Sequence, residues 1–402
     1  MHIDWITWGV WTFGLALLLY WCFETVREFQ QLVARRKTSA LESSAKTDHV
    51  DDYTIREILS QPETWQKTLD TLRAENGPLQ RINSLITDGP LIFTGCGSSY
   101  YLSLAVAPVW SHFTGRTARA VSASEIMMYP EAHFDGHAKG TVFAVSRSGE
   151  TPETCLVTRH LRQSHDWRAV GVTCYDGTPL VADCDGAIVL PEAAEVSRFT
   201  TRALTAMALA VEILVTRRTQ NHEFERELLR LPDLAARLLA RYRALIQDLA
   251  NNHDFSQYIF LGQGPYFGLA SELMLKTKEM ARTPAEAYPS LEYLHGPKYA
   301  ADPSTLIVVL LSDGGRGHQF EMLPKLKSLG AKIATICDRS TPEVTANADF
   351  VLELESGLSD YGRMLLVMPL LQLFAYWRAL ALGKSEWIKE MVRLKATSPQ
   401  RS

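Results

Sequence analysis

The chain has 402 residues, with 41 lysines and arginines against 45 aspartates and glutamates, and a formal charge of −4. This length exceeds the roughly 100 to 200 residues of a typical domain, so we predict a two-lobed body with an ample core. Because no basic stripe with interleaved aromatic residues is present, nucleic acid is not expected as a partner.

The six cysteines are scattered through the chain, without a Cys-x-x-Cys pair or a Cys/His cluster. This distribution argues against structural zinc and against a disulfide framework, and it suits a reducing, cytosolic environment. The residues call for no metal and no redox cofactor.

The first 36 residues differ from everything that follows. Residues 5–23 form an uncharged run rich in Leu, Trp and Phe, which is long enough to span a bilayer. Basic residues follow the run, so the positive-inside rule predicts a body in the cytoplasm. A cleaved signal peptide fits less well, because the run lacks a basic start. We predict a membrane-anchor helix at 1–36 and a polar linker at 37–52. The alternative is a buried or partner-binding helix, which would leave the protein cytoplasmic.

Two later stretches each follow an apolar, strand-like run and precede a helix-like run. They are residues 94–99 (TGCGSS) and 146–151 (SRSGET). Hydroxyl residues and glycines at such a turn let backbone N–H groups approach an anion, and the helix dipole adds to the attraction. Either stretch alone could be an ordinary Ser/Gly turn. Their co-occurrence predicts a phosphate site.

An internal repeat predicts the architecture. The sequence PLIFTGCG is echoed as QYIFLGQG, and AVGVTC is echoed as KIATIC, at nearly equal separations along the chain. Each copy alternates strand-like and helical runs, which indicates duplicated α/β lobes with parallel sheets. We predict a first lobe at 53–225, a second lobe at 226–384 and a tail at 385–402.

Five strands are predicted in each lobe. Those of the first lobe lie at 90–95, 118–122, 141–146, 168–174 and 187–190. Those of the second lobe lie at 257–262, 284–288, 305–311, 331–336 and 349–353. Long helical patterns link and cover the lobes at 202–217, 228–251 and 363–382. Ligands of open parallel sheets lie beyond the carboxyl ends of the strands, where both Ser/Gly stretches fall.

The second lobe lacks the serine-rich turns and carries another set of groups. Glu272, Lys276 and Glu279 recur at spacings of four and three residues, which places them on one helical face. Alone, this pattern fits a solvated helix with weak ion pairs. The segment EYLHGPK changes that interpretation. His295 stands beside Gly-Pro in a loop-like segment, where a histidine is more readily exposed to a ligand than buried. Imidazole exchanges protons near neutral pH.

With these motifs the chain resembles the double sugar-isomerase (SIS) domain family. It is similar to the isomerase half of glucosamine-6-phosphate synthase and to the stand-alone galactosamine/glucosamine-6-phosphate deaminases and tagatose-6-phosphate isomerases. The resemblance covers about residues 53–396. It implies two tandem lobes, each a mainly parallel, flavodoxin-like sheet flanked by helices.

The resemblance also assigns substrate contacts. The family's phosphate-binding turns match Cys96, Gly97, Ser98 and Ser99, together with Ser146, Arg147, Ser148 and Thr151. At Arg147 the chain is more like the deaminases, since the synthase has glutamine there. Further substrate contacts are expected from Thr200, Thr201, Arg202 and Glu292. At Arg202 the synthase has lysine, an exchange that changes hydrogen-bonding geometry.

Catalytic roles follow from the same match. Glu279 corresponds to the family's proton-shuttling glutamate, Lys276 to its neighbouring lysine and His295 to the ring-opening histidine. Lys395 resembles the synthase's imine-forming lysine, with a one-residue difference in spacing. Its alternative is an ordinary lysine at a frayed terminus.

The resemblance implies an amino-sugar-phosphate deaminase/isomerase, which releases ammonia from a hexosamine 6-phosphate. No glutaminase domain with an N-terminal cysteine precedes the lobes, so synthesis from glutamine is not expected. The alternatives are a fructosamine-type 6-phosphate deglycase and a membrane-tethered sensor that binds sugar phosphate without converting it. In the family the histidine loop reaches a neighbouring subunit, which implies a homodimer with shared sites.

Overall fold

Parallel strands form two five-stranded sheets, one in each predicted lobe. The computed structural model describes residues 53–74, 77–134, 139–164 and 167–397, without the side chains of 163, 164 and 393–397. The predicted anchor helix and linker lie outside these residues, as does the end of the predicted tail.

The first sheet has the strand order β2-β1-β3-β4-β5, and every neighbouring pair is parallel. Its strands are β1 Leu91–Gly95, β2 Ala118–Ser122, β3 Thr141–Val145, β4 Arg168–Thr173 and β5 Gly186–Val189. This order is that of flavodoxin-like sheets. Strands β1 and β3 are buried along their whole length, as their continuous apolar sequences predict for a sheet covered on both faces.

The second sheet repeats the same order as β7-β6-β8-β9-β10, again entirely parallel. Its strands are β6 Gln257–Gly262, β7 Ala285–Pro289, β8 Thr305–Leu310, β9 Lys332–Cys337 and β10 Phe350–Glu353. Each of the ten strands overlaps a predicted strand, so the prediction of two duplicated parallel sheets is confirmed.

Helices precede, connect and cover the strands. In the first lobe they are α1 Tyr53–Leu59, α2 Gln61–Arg73, α3 Pro78–Leu85, α4 Ser98–Thr114, α5 Ala123–Met128, α6 Pro152–Ser164, α7 Pro179–Asp183 and α8 Arg202–Thr219. The second lobe and its flanks contain α9 His222–Leu228, α10 Leu231–Asn252, α11 Pro265–Lys276, α12 Arg316–Lys327, α13 Pro342–Asn347, α14 Asp360–Arg363, α15 Val367–Ala381 and α16 Ser385–Thr397. The predicted long helices correspond to α8, α10 and α15.

Backbone geometry records the duplication in detail. Gly97 (φ 55°, ψ −125°) and Gly264 (φ 57°, ψ −128°) adopt the same conformation between the first strand of each sheet and the helix that follows it. Asp185 accepts a hydrogen bond from the amide of Ala169 at 2.8 Å, and Asp349 accepts one from the amide of Ile333 at 2.9 Å. The lobes therefore repeat turns and side-chain contacts to the strands, as well as the strands themselves.

The helices that follow the first strand of each sheet, α4 and α11, pack directly against each other. A Cβ atom at Gly268 would lie 2.4 Å from the amide nitrogen of Ala105, so only glycine permits this approach. Helices of both lobes share one hydrophobic core, which includes Leu102 and Leu269. This packing brings the carboxyl edge of the first sheet close to α11.

Among the described residues, the helical segment Asp360–Ala381 is long and apolar enough to cross a membrane by length and composition. However, 83% of its apolar window is buried inside the protein. We therefore interpret it as a core helix.

Candidate active site

The turn after β1 presents two hydroxyl groups at the start of α4. Ser98 and Ser99 are the first residues of this helix and are 9% and 8% exposed. A Cβ atom at Gly95 would lie 2.7 Å from Cβ of Ser99, so glycine lets the helix begin this close to the sheet. Gly97 has a positive φ, which glycine adopts without strain. The positive end of the α4 dipole therefore faces the edge where an anion would bind.

Cys96 lies in the same turn and is half-buried. Its Sγ atom is 4.0 Å from Oγ1 of Thr154 in α6. Burial raises the pKa of the Cys96 thiol, so this side chain contributes a neutral group to the turn.

The turn after β3 is built on hydroxyl groups. Oγ of Ser146 lies 2.9 Å from Oγ1 of Thr151, and it accepts a hydrogen bond from the amide of Gly149 at 3.2 Å. The amide of Glu150 donates to Oγ of Ser148 at 3.2 Å. Because β1 and β3 are adjacent and parallel, both turns lie at the same edge of the sheet.

Helix α11 of the second lobe carries the charged residues. Glu272 and Lys276 are buried, and the helix continues into a π-helical turn, Thr277–Ala281, that contains Glu279. The chain then leaves the helix at Arg282, which has a left-handed backbone (φ 54°). Single π-turns within helices often occur at functional sites.

Lys276 is the centre of this group. Its ammonium forms an ion pair with Glu279, and Nζ lies 3.4 Å from Oε1 of Glu272. Burial alone would lower the pKa of Lys276, but the two carboxylates outweigh it and the pKa is raised. Burial raises the pKa of Glu272 to about 8, opposed by the charge of Lys276 and by the hydroxyl of Ser98. Ser98 and Lys276 therefore both lie close to this carboxyl group.

The serine turn and the charged helix meet at the α4–α11 contact. A Cβ atom at Gly97 would lie 3.9 Å from Cδ2 of Leu275. Burial raises the pKa of Tyr101 on α4, and the charges of Glu272 and Glu279 raise it further. Thus polar groups of the first lobe lie next to the charged residues of the second.

Arg147, predicted to bind phosphate, points to another segment. Its Nη1 lies 3.4 Å from Oε2 of Glu195 and donates to the carbonyl groups of Ser197 and Arg198 at 3.2 and 2.9 Å. The buried carboxylate of Glu195 also accepts from the amide and hydroxyl of Thr201, both at 2.7 Å. Arg147 therefore ties the second phosphate turn to the start of α8.

The other predicted substrate contacts of this segment have protein partners as well. Arg202 donates to Oγ of Ser60 at 3.1 Å and to the carbonyl of Ala194. Thr201 is fully buried, whereas Thr200 is half-buried. Of these three residues, Thr200 is the most available to a ligand.

His295 and Glu292 lie on an exposed loop. A short 3₁₀ turn, Glu292–Leu294, precedes His295, and Gly296 follows with φ 125°. Both side chains are exposed. Among the described residues, no hydrogen bond or ion pair joins His295 to Glu279 or to the serine turns. Lys395 lies in α16, and its side chain is outside the described part of the chain.

The second lobe contains a counterpart of the phosphate turns that is filled internally. The amides of Asp313 and Gly314, after β8, donate to the two carboxylate oxygens of Asp360, each at 2.8 Å. Buried Arg363 pairs with Asp360 at 2.5 Å. In the first lobe, the amides of Arg147 and Ser148 have no such acceptor among the described residues. The sequence shows that the second lobe lacks the serine-rich turns, but it does not show that Asp360 fills this one, because Asp360 is remote from the turn along the chain.

The comparison with known families follows this duplication. Residues 84–217 and 254–382 each match the SIS domain family. The chain belongs to this family. Both segments coincide with the two observed lobes, so the predicted membership is confirmed.

Individual relatives are similar at modest identity. A glutamine–fructose-6-phosphate aminotransferase of Pyrobaculum aerophilum is 28% identical over 82% of this chain, which spans 55% of that relative's length. A crystal structure of glucosamine-6-phosphate deaminase from Thermotoga maritima is 26% identical, with a TM-score of 0.69, and the match covers 82% of this chain and 95% of that one. Tagatose-6-phosphate ketose/aldose isomerase from Escherichia coli, 22% identical over 83% of this chain and 94% of that one, shares the fold with a TM-score of 0.74. The chain is therefore similar to proteins that are named for reactions of sugar phosphates.

Proposed function

We propose that this SIS protein is an amino-sugar-phosphate deaminase/isomerase. Its substrate would be a hexosamine 6-phosphate, and the products would be a ketose phosphate and ammonia. The observation that carries the proposal is the close packing of α4 against α11, the helix whose Lys276 pairs with Glu279. It links the serine turn, suited to a phosphate, to the ion pair of Lys276 with Glu279, suited to proton transfer.

The phosphate group would be held at the edge of the first sheet. Ser98 and Ser99 begin α4, and Ser148 and Thr151 line the adjacent turn. Backbone amides, hydroxyl groups and the helix dipole together suit a dianion. Since the counterpart turn of the second lobe is filled by Asp360, we infer one phosphate site in each chain.

Proton transfer would follow ring opening. Glu279 would take the proton from C2 of the open-chain amino sugar and return it to C1, while the C1 carbonyl oxygen gains a proton to become a hydroxyl and the C2 amine loses one to become an imine. The resulting C2 imine would add water and lose ammonia, leaving the C2 ketone. A carboxylate held in position supplies such a proton shuttle. The ammonium of Lys276 pairs with the side chain of Glu279 and so holds it in place for this step.

Ring opening would be the task of His295. The loop that carries His295 is exposed, and no described hydrogen bond joins His295 to the Lys276–Glu279 ion pair of the same chain. A second copy of the chain would bring its own His295 into a shared site. We therefore propose a homodimer in which each active site takes His295 from the partner. Lys395 would be the candidate for imine formation with the ketose.

The relatives support this chemistry at the level of class. The Thermotoga structure carries the name glucosamine-6-phosphate deaminase, and the curated relatives act on fructose 6-phosphate by name. This chain spans 55% and 58% of two such aminotransferases, so the comparison extends to that part of them only. The deaminase direction is our proposal because it needs water rather than glutamine.

The test is turnover by the purified full-length chain. Glucosamine 6-phosphate and galactosamine 6-phosphate are supplied separately, and both ammonia and ketose phosphate are measured. The proposal expects equal amounts of the two products, and Glu279→Gln should release neither. Release of an amine and a sugar phosphate from a fructosamine 6-phosphate would favour the deglycase. Calorimetric binding of sugar phosphate without any product would favour the sensor.

We also propose that residues 5–23 anchor the protein in a membrane, with the SIS lobes in the cytoplasm. Their apolar run and the basic residues after it support this proposal. Fractionation of cells that express the full chain tests it. Recovery of the protein in the soluble fraction would contradict membrane anchoring.

A further inference from the structure

The backbone of Glu279 is held by a residue from the last described helix. Nε1 of Trp387, in α16, donates a hydrogen bond to the carbonyl oxygen of Glu279 at 2.8 Å. The two residues are far apart in sequence, so this is a tertiary contact. It reaches the main chain of the residue proposed to move the proton.

The carbonyl groups of this region need such a donor. The π-turn ends at Arg282 in the left-handed conformation, so the last carbonyl groups of the helix lose their regular partners. An unsatisfied buried carbonyl is costly. The indole N–H of Trp387 satisfies one of them and fixes the turn at Glu279.

The indole ring is itself held in place. The guanidinium of Arg282 lies over the ring, 4.8 Å from its centroid, in a cation–π contact. The next residue, Ile388, is 1% exposed and anchors α16 in the core. Trp387 is thus fixed on one side by the residue that ends the π-turn and on the other by its own helix.

We propose that Trp387 is a positioning residue for Glu279. It holds the backbone of the π-turn so that the carboxylate meets both Lys276 and the substrate carbon. This inference rests on the proposed function for its kinetic consequence, but the contact itself acts on the π-turn whatever the substrate. Loss of the indole N–H should let the turn move while the phosphate turns of the first lobe stay intact.

The kinetic consequence is a split between kcat and KM. A displacement of about 1 Å in a reacting group can cost about a hundredfold in rate. Trp387→Phe, which keeps an aromatic ring and loses the donor, should lower kcat by about tenfold to a hundredfold. KM should change by less than about twofold, because the groups that hold the phosphate are untouched.

Trp377→Phe is the matched control. Trp377 lies in α15, and its Nε1 has no hydrogen-bond partner among the described residues. The substitution makes the same chemical change, loss of an indole N–H, at a ring for which no hydrogen bond to the π-turn is described. This variant should keep both kcat and KM.

Hydrogen exchange supplies a readout that does not depend on turnover. In the full-length protein, amides of 277–282 should exchange faster in Trp387→Phe than in the wild type, and at the wild-type rate in Trp377→Phe. If the wild type turns over no hexosamine 6-phosphate, the proposed function fails while exchange still decides the role of Trp387. Unchanged exchange at 277–282 would overturn the positioning role, as would equal kcat values in the two variants.

Arg282→Gln is a second variant for the case in which Trp387→Phe does not fold. It keeps the indole N–H and removes the cation that holds the ring. Faster exchange at 277–282 and a lower kcat with unchanged KM support the inference. If Trp387→Phe does not fold and Arg282→Gln shows wild-type exchange and kcat, the positioning role of Trp387 is overturned.

Discussion

Lys276 is 1% exposed, whereas the carboxylate of Glu279 that it pairs with is 36% exposed. The cation is therefore closed off from solvent, and the carboxylate reaches both the cation and the open edge of the site. Replacement of a general base typically costs about 10² to 10⁴ in rate. We expect Glu279→Gln to lower kcat by that factor and to leave the affinity for inorganic phosphate within about twofold.

Lys278 provides the control for this change. It lies in the same π-turn, is exposed, and has no described role at the site. Lys278→Gln should retain wild-type kinetics in the same assay. If Glu279→Gln lost phosphate binding and turnover in parallel, Glu279 would be structural.

A shared active site predicts complementation between two inactive variants. Glu279→Gln and His295→Asn should each be nearly inactive as pure proteins. When the two are co-expressed, mixed dimers contain one intact site, so about a quarter of the wild-type activity should return. Activity is measured as ammonia release per milligram. No recovery in verified mixed dimers would show that each chain uses its own histidine.

Substitutions at Arg147 and Ser148 should have different effects, the first on stability and the second on substrate binding. Arg147→Gln removes the cation next to buried Glu195 and two carbonyl contacts, so unfolding should become easier by about 1 to 3 kcal/mol. Ser148→Ala should instead raise KM with little change in stability. Urea unfolding and steady-state kinetics measure both effects. A rise in KM alone for Arg147→Gln would support its predicted role as a phosphate ligand.

The difference between the lobes was only partly predictable from sequence. Continuous apolar strands and repeated glycine turns mark both sheets, because burial on two faces and positive φ restrict residue choice locally. The contacts of Arg147 with Glu195 and of Trp387 with Glu279 join residues that are far apart along the chain. No local sequence pattern predicts such contacts. The motifs therefore predict the turns and the charged helix, but not the direction of each side chain.

Asp360 closes the second lobe's counterpart of the phosphate turn, and its removal should reopen it. Asp360→Ala deprives the amides of Asp313 and Gly314 of their acceptor and removes one carboxylate partner of Arg363. We expect a loss of about 1 to 3 kcal/mol in unfolding free energy. Millimolar inorganic phosphate should recover part of it, through the anion site that is uncovered.

The background for this experiment is Ser148→Ala, in which the first lobe's phosphate turn is weakened. Thermal unfolding of Ser148→Ala and of Ser148→Ala/Asp360→Ala is compared with and without phosphate. A larger phosphate-induced rise in Tm for the double variant confirms the reopened turn. Equal rises in both proteins would contradict it.

Glu57 should make stability depend on pH. Burial and the neighbouring carboxylate of Glu195 raise the pKa of Glu57 to about 7, although it accepts hydrogen bonds from the amides of Val196 and Ser197 and lies near Arg202. The unfolded chain has the lower, ordinary value of 4.5. The native state therefore binds more protons between these values, and this group's contribution to stability is complete below pH 4.5 and lost as pH rises through 7.

Glu57→Gln keeps an acceptor for the two amides and removes the titration. Relative to the wild type, it should gain about 3 kcal/mol in unfolding free energy between pH 4.5 and pH 8. Urea unfolding at both pH values measures this gain. Glu63→Gln, a change at an exposed carboxylate on α2, is the control and should track the wild type. If Glu57→Gln also tracked the wild type at both pH values, the carboxyl group of Glu57 would titrate normally in the folded protein.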